Sequence, residues 1–150
     1  MRAPFFISIR ATAPPEVEVR LSVDCCLVAT GESKQVVLVI DDEPAIRLLC
    51  RVNLEIGGYE VREAGSIDEA RAQMDGVDVV LLDMHIGNER GDVLLKELAE
   101  QAIPVAVVTG STDLESISGT SAAAVLGKPF TIDELEATVA RLAVLRASRR

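Results

Sequence analysis

The sequence has 150 residues, of which 49% are hydrophobic, so it can bury one core and is short for two ordinary domains. Its formal charge of −9 and isoelectric point near 4.6 argue against a nucleic acid partner, because such a partner requires a basic face. The basic residues Arg146, Arg149 and Arg150 are interpreted as a solvated helix end rather than as that face.

The cysteines and the apolar runs indicate the cellular compartment of the protein. Cys25, Cys26 and Cys50 are odd in number and include no Cys-x-x-Cys pair, so they predict neither a disulfide framework nor a zinc site. No apolar run reaches the roughly 18–20 residues that a membrane-spanning helix requires. We therefore expect a cytoplasmic protein that contacts no membrane.

Residues 1–35 form an extension that stands apart from the pattern of the remaining chain. Within it Val17, Val19, Leu21 and Val23 alternate with polar residues, which is typical of a strand with one apolar face. Two interpretations stay open. The extension is a poorly ordered tail or the product of a misassigned start codon, or it adds one strand to a sheet edge.

Strands and helices alternate from residue 36 to residue 146, and residues 147–150 form a short basic tail. Five such alternations predict right-handed crossovers and a parallel sheet with helices on both faces, in the flavodoxin-like order 2-1-3-4-5. A short helix anchored by Leu114 and Ile117 is predicted before the last strand. The predicted strands are 36–40, 59–64, 77–82, 105–108 and 123–126, and the other predicted helices are 44–56, 66–74, 91–101 and 131–146.

Reactive side chains stand where four of these strands end. Asp41 and Asp42 follow the first strand, Asp83 the third, Thr109 the fourth and Lys128 the fifth. Functional groups gather beyond the carboxyl ends of parallel strands, and strands one and three are neighbours in the predicted order. The sequence therefore predicts three carboxylates beside one ammonium group.

This cluster predicts a site that handles phosphate. Three carboxylates repel one another unless a hard cation neutralises them, and Mg²⁺ binds a few carboxylates together with water and phosphate oxygens. Asp83 can attack phosphorus to form an aspartyl phosphate. Lys128 would offset charge on the phosphoryl oxygens, and the hydroxyl of Thr109 would donate a hydrogen bond to one of them.

Four segments, over roughly residues 35–146, resemble the CheY-like receiver domain of response regulators: VVLVIDDEP, VVLLDMHIGNERG, VAVVTG and LGKPF. The resemblance implies a phosphoacceptor, a metal site for Mg²⁺ and two residues that bind the phosphoryl group. Transferred to this sequence, these roles fall on Asp83 as phosphoacceptor, Asp42 as direct metal ligand, Asp41 as ligand through water, the backbone carbonyl of His85 as a further ligand, Thr109 as switch hydroxyl and Lys128 as phosphate partner.

Two positions depart from the family pattern. Gly87 stands where many receivers carry proline, so its backbone should be less restrained. Val125 stands where the family usually has an aromatic switch residue, and it has no ring to rotate between two packed states. The usual coupling of threonine to an aromatic ring is therefore not expected.

The resemblance implies a phosphoacceptor response regulator of a two-component or phosphorelay system, a signalling switch rather than an enzyme, with self-catalysed phosphotransfer and dephosphorylation. Its expected partners are a histidine kinase or histidine phosphotransfer protein and a downstream protein target. We expect no output domain, so the signal is expected to leave by protein contacts.

Two other functions remain open. A phosphatase of the haloacid-dehalogenase type also uses a strand-end aspartate and Mg²⁺, but its second aspartate is replaced here by His85. The imidazole of His85 is interpreted as overhanging the site, where it would tune the access of water, with plain surface placement as the alternative. A receiver that docks without phosphorylation is the second alternative.

Overall fold

The computed structural model describes residues 33–110, 117 and 120–149, which contain five main strands, one short hairpin and helices. The strands are β1 (Val36–Ile40), β2 (Glu60–Ala64), β3 (Val79–Asp83), β4 (His85–Ile86), β5 (Glu89–Arg90), β6 (Val105–Thr109) and β7 (Ala124–Gly127), and the helices are α1 (Pro44–Ile56), α2 (Ile67–Ala72), α3 (Asp92–Glu100) and α4 (Ile132–Ala147).

The main sheet is parallel and has the order β2-β1-β3-β6-β7. This confirms the predicted order, because β4 and β5 form a separate antiparallel hairpin and do not join the sheet. The hairpin lies in the connection between β3 and α3 and was not predicted. The doubly wound α/β fold of the CheY-like type is therefore confirmed for the described residues.

Apolar side chains on the central strands alternate between two packed layers. In β1, Leu38 and Ile40 face the layer formed with α2 and α3, whereas Val37 and Val39 face the layer formed with α1 and α4. The sheet is therefore covered by helices on both faces, as predicted. Ile117 is buried in the first layer, as expected of a helical anchor, while Leu114 lies outside the described residues.

Two helices begin with the capping residues that the sequence indicates. The side chain of Ser66 accepts a hydrogen bond from the backbone of Glu69 at the start of α2. At the start of α4, the side chains of Thr131 and Glu134 bond reciprocally to each other's backbone. These caps set the points at which the two helices leave the loops around the carboxyl edge of the sheet.

Two positions depart from what the sequence indicates. Val125 lies within the predicted strand 123–126 and is 44% exposed, because β7 is an edge strand that packs only Ala124 and Leu126 into the core. Arg146 is partly buried and donates to the carbonyl of Ala102 at 3.0 Å, so it is not a simply solvated helix end.

The predictions for residues 1–35 fall almost entirely on residues 1–32, which lie outside the described part of the chain. Among the described residues, no helix combines the length and the apolar character needed to cross a bilayer.

Candidate functional site

The predicted carboxylates meet at the carboxyl edge of the sheet. One carboxylate oxygen from each of Asp41, Asp42 and Asp83 lies within 4.8 Å of the others. Asp41 directly follows β1 and Asp83 ends β3, and these strands are adjacent partners. Asp41 is 2% exposed and Asp83 8%, whereas Asp42 is exposed. Two buried acids and one accessible acid therefore share one site.

Lys128 supplies the ammonium group that the sequence predicts. It directly follows β7, and its Nζ lies 2.9 Å from Oδ2 of Asp41 and 3.1 Å from Oδ2 of Asp83. Its backbone N–H donates to the carbonyl of Thr109 at 2.7 Å, which joins the ends of β6 and β7. The ammonium group therefore bridges the two buried acids.

Burial and pairing act in opposite directions on these charges. Burial raises the pKa of Asp41, and the N–H of Glu43 and the charge of Lys128 only partly oppose it. Burial alone would lower the pKa of Lys128, but the hydrogen bonds and charges of Asp41 and Asp83 together raise it. Lys128 therefore stays protonated, and in the described part of the chain it is the one cation paired with the carboxylates of this cluster.

A backbone N–H holds each of the three carboxylates. Glu43 donates to Oδ1 of Asp41 at 2.9 Å, and His85 donates to Oδ1 of Asp83 at 3.0 Å. The N–H of Gly87 donates to Oδ2 of Asp42 at 3.1 Å. The sequence marks Gly87 only as a relaxed backbone position, and this bond gives it a specific contact.

Arg47 is a second residue whose role the sequence does not indicate. Its Nη1 donates to the backbone carbonyl of Asp41 at 2.5 Å, and its Nε lies 3.6 Å from Oε1 of Glu63. The guanidinium group therefore ties the loop after β1 to strand β2. No local motif marks this role, because it depends on the approach of two segments that are distant in sequence.

Thr109 lies at the end of β6, as predicted, and His85 lies two residues after Asp83. Thr109 is 2% exposed at the end of β6, and its hydroxyl donates to the carbonyl of Gly110 at 3.2 Å. His85 is exposed and pairs with Arg90 in the hairpin. The proposed metal-ligand role of the His85 carbonyl stays a prediction.

The donor atoms of this site suit a hard divalent cation. Asp41, Asp42 and Asp83 contribute only carboxylate oxygens, which match the ligand preference of Mg²⁺, and one accessible carboxylate leaves a route for the ion. Lys128 neutralises only part of the cluster, so a cation would remove repulsion that remains.

Comparison with known proteins identifies the family. The model for the response regulator receiver domain matches residues 37–140. The chain belongs to the response regulator receiver family. The receiver domain of NtrX from Brucella abortus is a similar solved structure, with a TM-score of 0.67 and 31% identity, covering 72% of this chain and 98% of that one.

Curated relatives of this receiver include longer regulators. The DNA-binding dual master transcriptional regulator RpaA of Synechocystis sp. is 33% identical over 115 residues, covering 71% of this chain and 48% of that protein. The alkaline phosphatase synthesis transcriptional regulatory protein PhoP of Bacillus subtilis is 32% identical over 119 residues, covering 75% and 49%. The chain thus spans about half of these relatives.

Proposed function

We propose that this receiver is a Mg²⁺-dependent switch that accepts a phosphoryl group on Asp83. The observation that carries the proposal is the cluster of Asp41, Asp42 and Asp83 within 4.8 Å, with Nζ of Lys128 3.1 Å from Asp83. A carboxylate nucleophile beside further carboxylates and one ammonium group is suited to phosphoryl transfer, which requires positioning and charge compensation.

Each residue of the site has a separate role in the phosphoryl transfer step. A carboxylate oxygen of Asp83 forms a bond to phosphorus while the P–N bond of a phosphohistidine donor breaks, and the electron pair leaves with the donor's imidazole. Lys128 already contacts Asp83 and stabilises negative charge on the phosphoryl oxygens. The hydroxyl of Thr109 gives up its hydrogen bond to the carbonyl of Gly110 and donates a hydrogen bond to one of these oxygens instead.

Asp42, Asp83 and the carbonyl of His85 would bind Mg²⁺ directly, and Asp41 would bind it through water. When bound, the ion would neutralise charge on the phosphoryl oxygens. Asp41 also fixes Lys128 in place, because its Oδ2 accepts a hydrogen bond from Nζ at 2.9 Å. Its partial neutralisation by Lys128 is consistent with an indirect role at the metal.

The partners are proposed from the family. The phosphoryl donor would be a histidine kinase or a histidine phosphotransfer protein, and the signal would leave through contacts with a downstream protein target. The prediction that the chain contacts no nucleic acid stays a prediction, since relatives named as transcriptional regulators extend well beyond the part that matches.

Intact mass spectrometry after treatment with acetyl phosphate and Mg²⁺ tests the function. We expect the mass of the wild-type protein to rise by one phosphoryl group and that of Asp83→Asn to stay unchanged, because an amide is not an anionic nucleophile. The matched control is Asp92→Asn, since Asp92 lies near the site at the start of α3 but outside the cluster. This control should be phosphorylated like the wild type.

Two outcomes would contradict the proposal. Phosphorylation of Asp83→Asn at another aspartate would show that the phosphoacceptor is misassigned. Steady multiple turnover of a small phosphate ester would favour the phosphatase alternative, whereas no Mg²⁺-dependent response in the wild type would favour a receiver that only docks.

A further inference from the structure

The carboxylate of Asp42 is held by the tip of the hairpin formed by β4 and β5. The N–H of Gly87 donates to Oδ2 of Asp42 at 3.1 Å, across a sequence separation of 45 residues. Gly87 has a φ of +60°, a left-handed conformation that glycine adopts without strain and that proline cannot adopt. Both the N–H and the backbone angle of this contact therefore depend on the residue at position 87.

The base of the same hairpin is bonded to Met84 and packs closely against the backbone of Asp83. The N–H of Gly91 donates to the carbonyl of Met84 at 3.0 Å, and a Cβ atom at Gly91 would lie only 2.8 Å from the carbonyl oxygen of Asp83. Ile86 is 3% exposed and packs in the core. The hairpin is thus anchored at its base and along one strand, so the position of its tip follows that of Asp83.

Asp42 needs such support because it is the exposed member of a like-charged cluster. Repulsion from the two buried carboxylates favours rotamers that turn Asp42 away from the site, and solvent places no restraint on them. A hydrogen bond from a fixed N–H opposes that tendency, and it occupies one oxygen while the other stays available.

We infer that Gly87 is a positioning residue, whose N–H holds the carboxylate of Asp42 in the cluster ready to bind a divalent cation. This role rests on the proposed Mg²⁺ site. Groups that orient metal ligands from outside the coordination shell typically contribute tenfold to a hundredfold in affinity. Because Asp42 is exposed, we expect the lower end of that range, about tenfold.

Calorimetric titration of the whole chain with MgCl₂ alone tests this role through two substitutions at one position. Gly87→Pro removes the N–H and excludes the φ of +60°, so its Mg²⁺ affinity should fall about tenfold. Gly87→Asn keeps the N–H, and asparagine tolerates the left-handed region, so its affinity should stay near that of the wild type. Wild-type affinity in Gly87→Pro would overturn the inference.

A double variant separates positioning from general damage to the hairpin. If Gly87 acts through Asp42, Gly87→Pro should cause no further loss of affinity in the Asp42→Ala protein, because alanine has no oxygen to accept the N–H of residue 87. A second loss of similar size would show that the substitution displaces Asp83 instead, and would overturn the role.

Nuclear magnetic resonance of the metal-free protein supplies a readout that needs no binding. The amide proton of Gly87 should exchange faster with solvent and change its chemical shift in Asp42→Ala, and an unaltered amide would overturn the inference. A wild-type protein that binds no Mg²⁺ would overturn the proposed function and this role with it. Normal Mg²⁺ binding with an unaltered amide would reject the role alone.

Discussion

Buried charge is handled differently at the two ends of the parallel sheet. At the amino end, Asp78 is 5% exposed and its Oδ2 accepts the N–H of Val36 at 2.9 Å. The N–H of Asp78 donates in turn to the carbonyl of Val36 at 2.9 Å. This carboxylate closes the start of the sheet by satisfying the first residue of β1, so its role is structural.

At the carboxyl end, the carboxylates outnumber the cations. Asp41 and Asp83 share the single ammonium group of Lys128, and Asp42 adds a third negative charge within 4.8 Å. Each acid has a hydrogen-bond donor, but the sum of their charges is not neutralised. Charge that is not neutralised therefore lowers the stability of the protein at the carboxyl end but not at the amino end. Such a cost in stability is typical of functional sites.

The largest effect is expected for Lys128→Met, which removes the only cation that contacts the carboxylates of Asp41 and Asp83 among the described residues. Phosphoryl uptake from acetyl phosphate should slow by roughly 100-fold, the usual loss when one charge-stabilising donor is removed. The rate is measured from intact mass over time. Lys96→Met, at an exposed lysine on α3, is the matched control and should react normally. Equal rates in both variants would assign no chemical role to Lys128.

The converse test is Asp78→Ala at the amino end. Loss of the acceptor for the N–H of Val36 should lower the free energy of unfolding by about 1–3 kcal/mol, measured by urea denaturation. Asp78→Asn retains an acceptor oxygen and should lose less. The folded fraction of both variants should still take up a phosphoryl group. Normal stability with lost uptake would break the distinction between the two ends.

The sequence predicted the carboxyl end well because its signals are local. An apolar run that changes abruptly to acids marks the end of β1, and the same change marks Asp83. Parallel topology then brings these ends together without further information. The order of the sheet and the acidic cluster were predictable for that reason.

Other features depend on tertiary contacts that no local pattern shows. The hairpin of β4 and β5 has two residues in each strand, too few for a periodic signal. In the sequence Asp78 resembles an ordinary loop acid, and only its hydrogen bond with Val36 shows its role. The exposure of Val125 follows from the edge position of β7, and the role of Arg47 follows from its contact with Glu63.

A smaller effect on stability, which depends on pH, is expected from the buried thiol of Cys50 near the carboxyl end of the sheet. Burial raises the pKa of the Cys50 thiol to about 11, and the charge of Asp41 adds to the shift while that of Lys128 opposes it. The unfolded thiol, with a pKa of 9.0, loses its proton first, so this contribution is complete below pH 9 and is lost as the pH rises to 11.

Between pH 8 and pH 10 the free energy of unfolding should therefore fall by roughly 1 kcal/mol through Cys50. Urea denaturation at several pH values measures this slope. In Cys50→Ala the slope should decrease, and what remains includes Tyr59, whose pKa burial also raises. An unchanged slope in Cys50→Ala would show that the thiol does not keep its proton in the folded protein.

The smallest effect is expected for Asp42→Asn. The free energy of unfolding should rise in this variant at the carboxyl end of the sheet, whereas it should fall in Asp78→Ala at the amino end. The amide oxygen can still accept the N–H of Gly87, while one negative charge leaves the cluster, so the metal-free protein should gain a few tenths of a kcal/mol. Because the whole chain carries a charge of −9, Asp75→Asn serves as the control for a general loss of repulsion at an exposed acid outside the cluster.

Unfolding midpoints with and without Mg²⁺ complete the comparison: the ion should stabilise the wild type and Asp75→Asn, and it should stabilise Asp42→Asn much less. A loss of stability above about 1 kcal/mol in metal-free Asp42→Asn would instead place this acid with Asp78, as a group whose charge the fold requires.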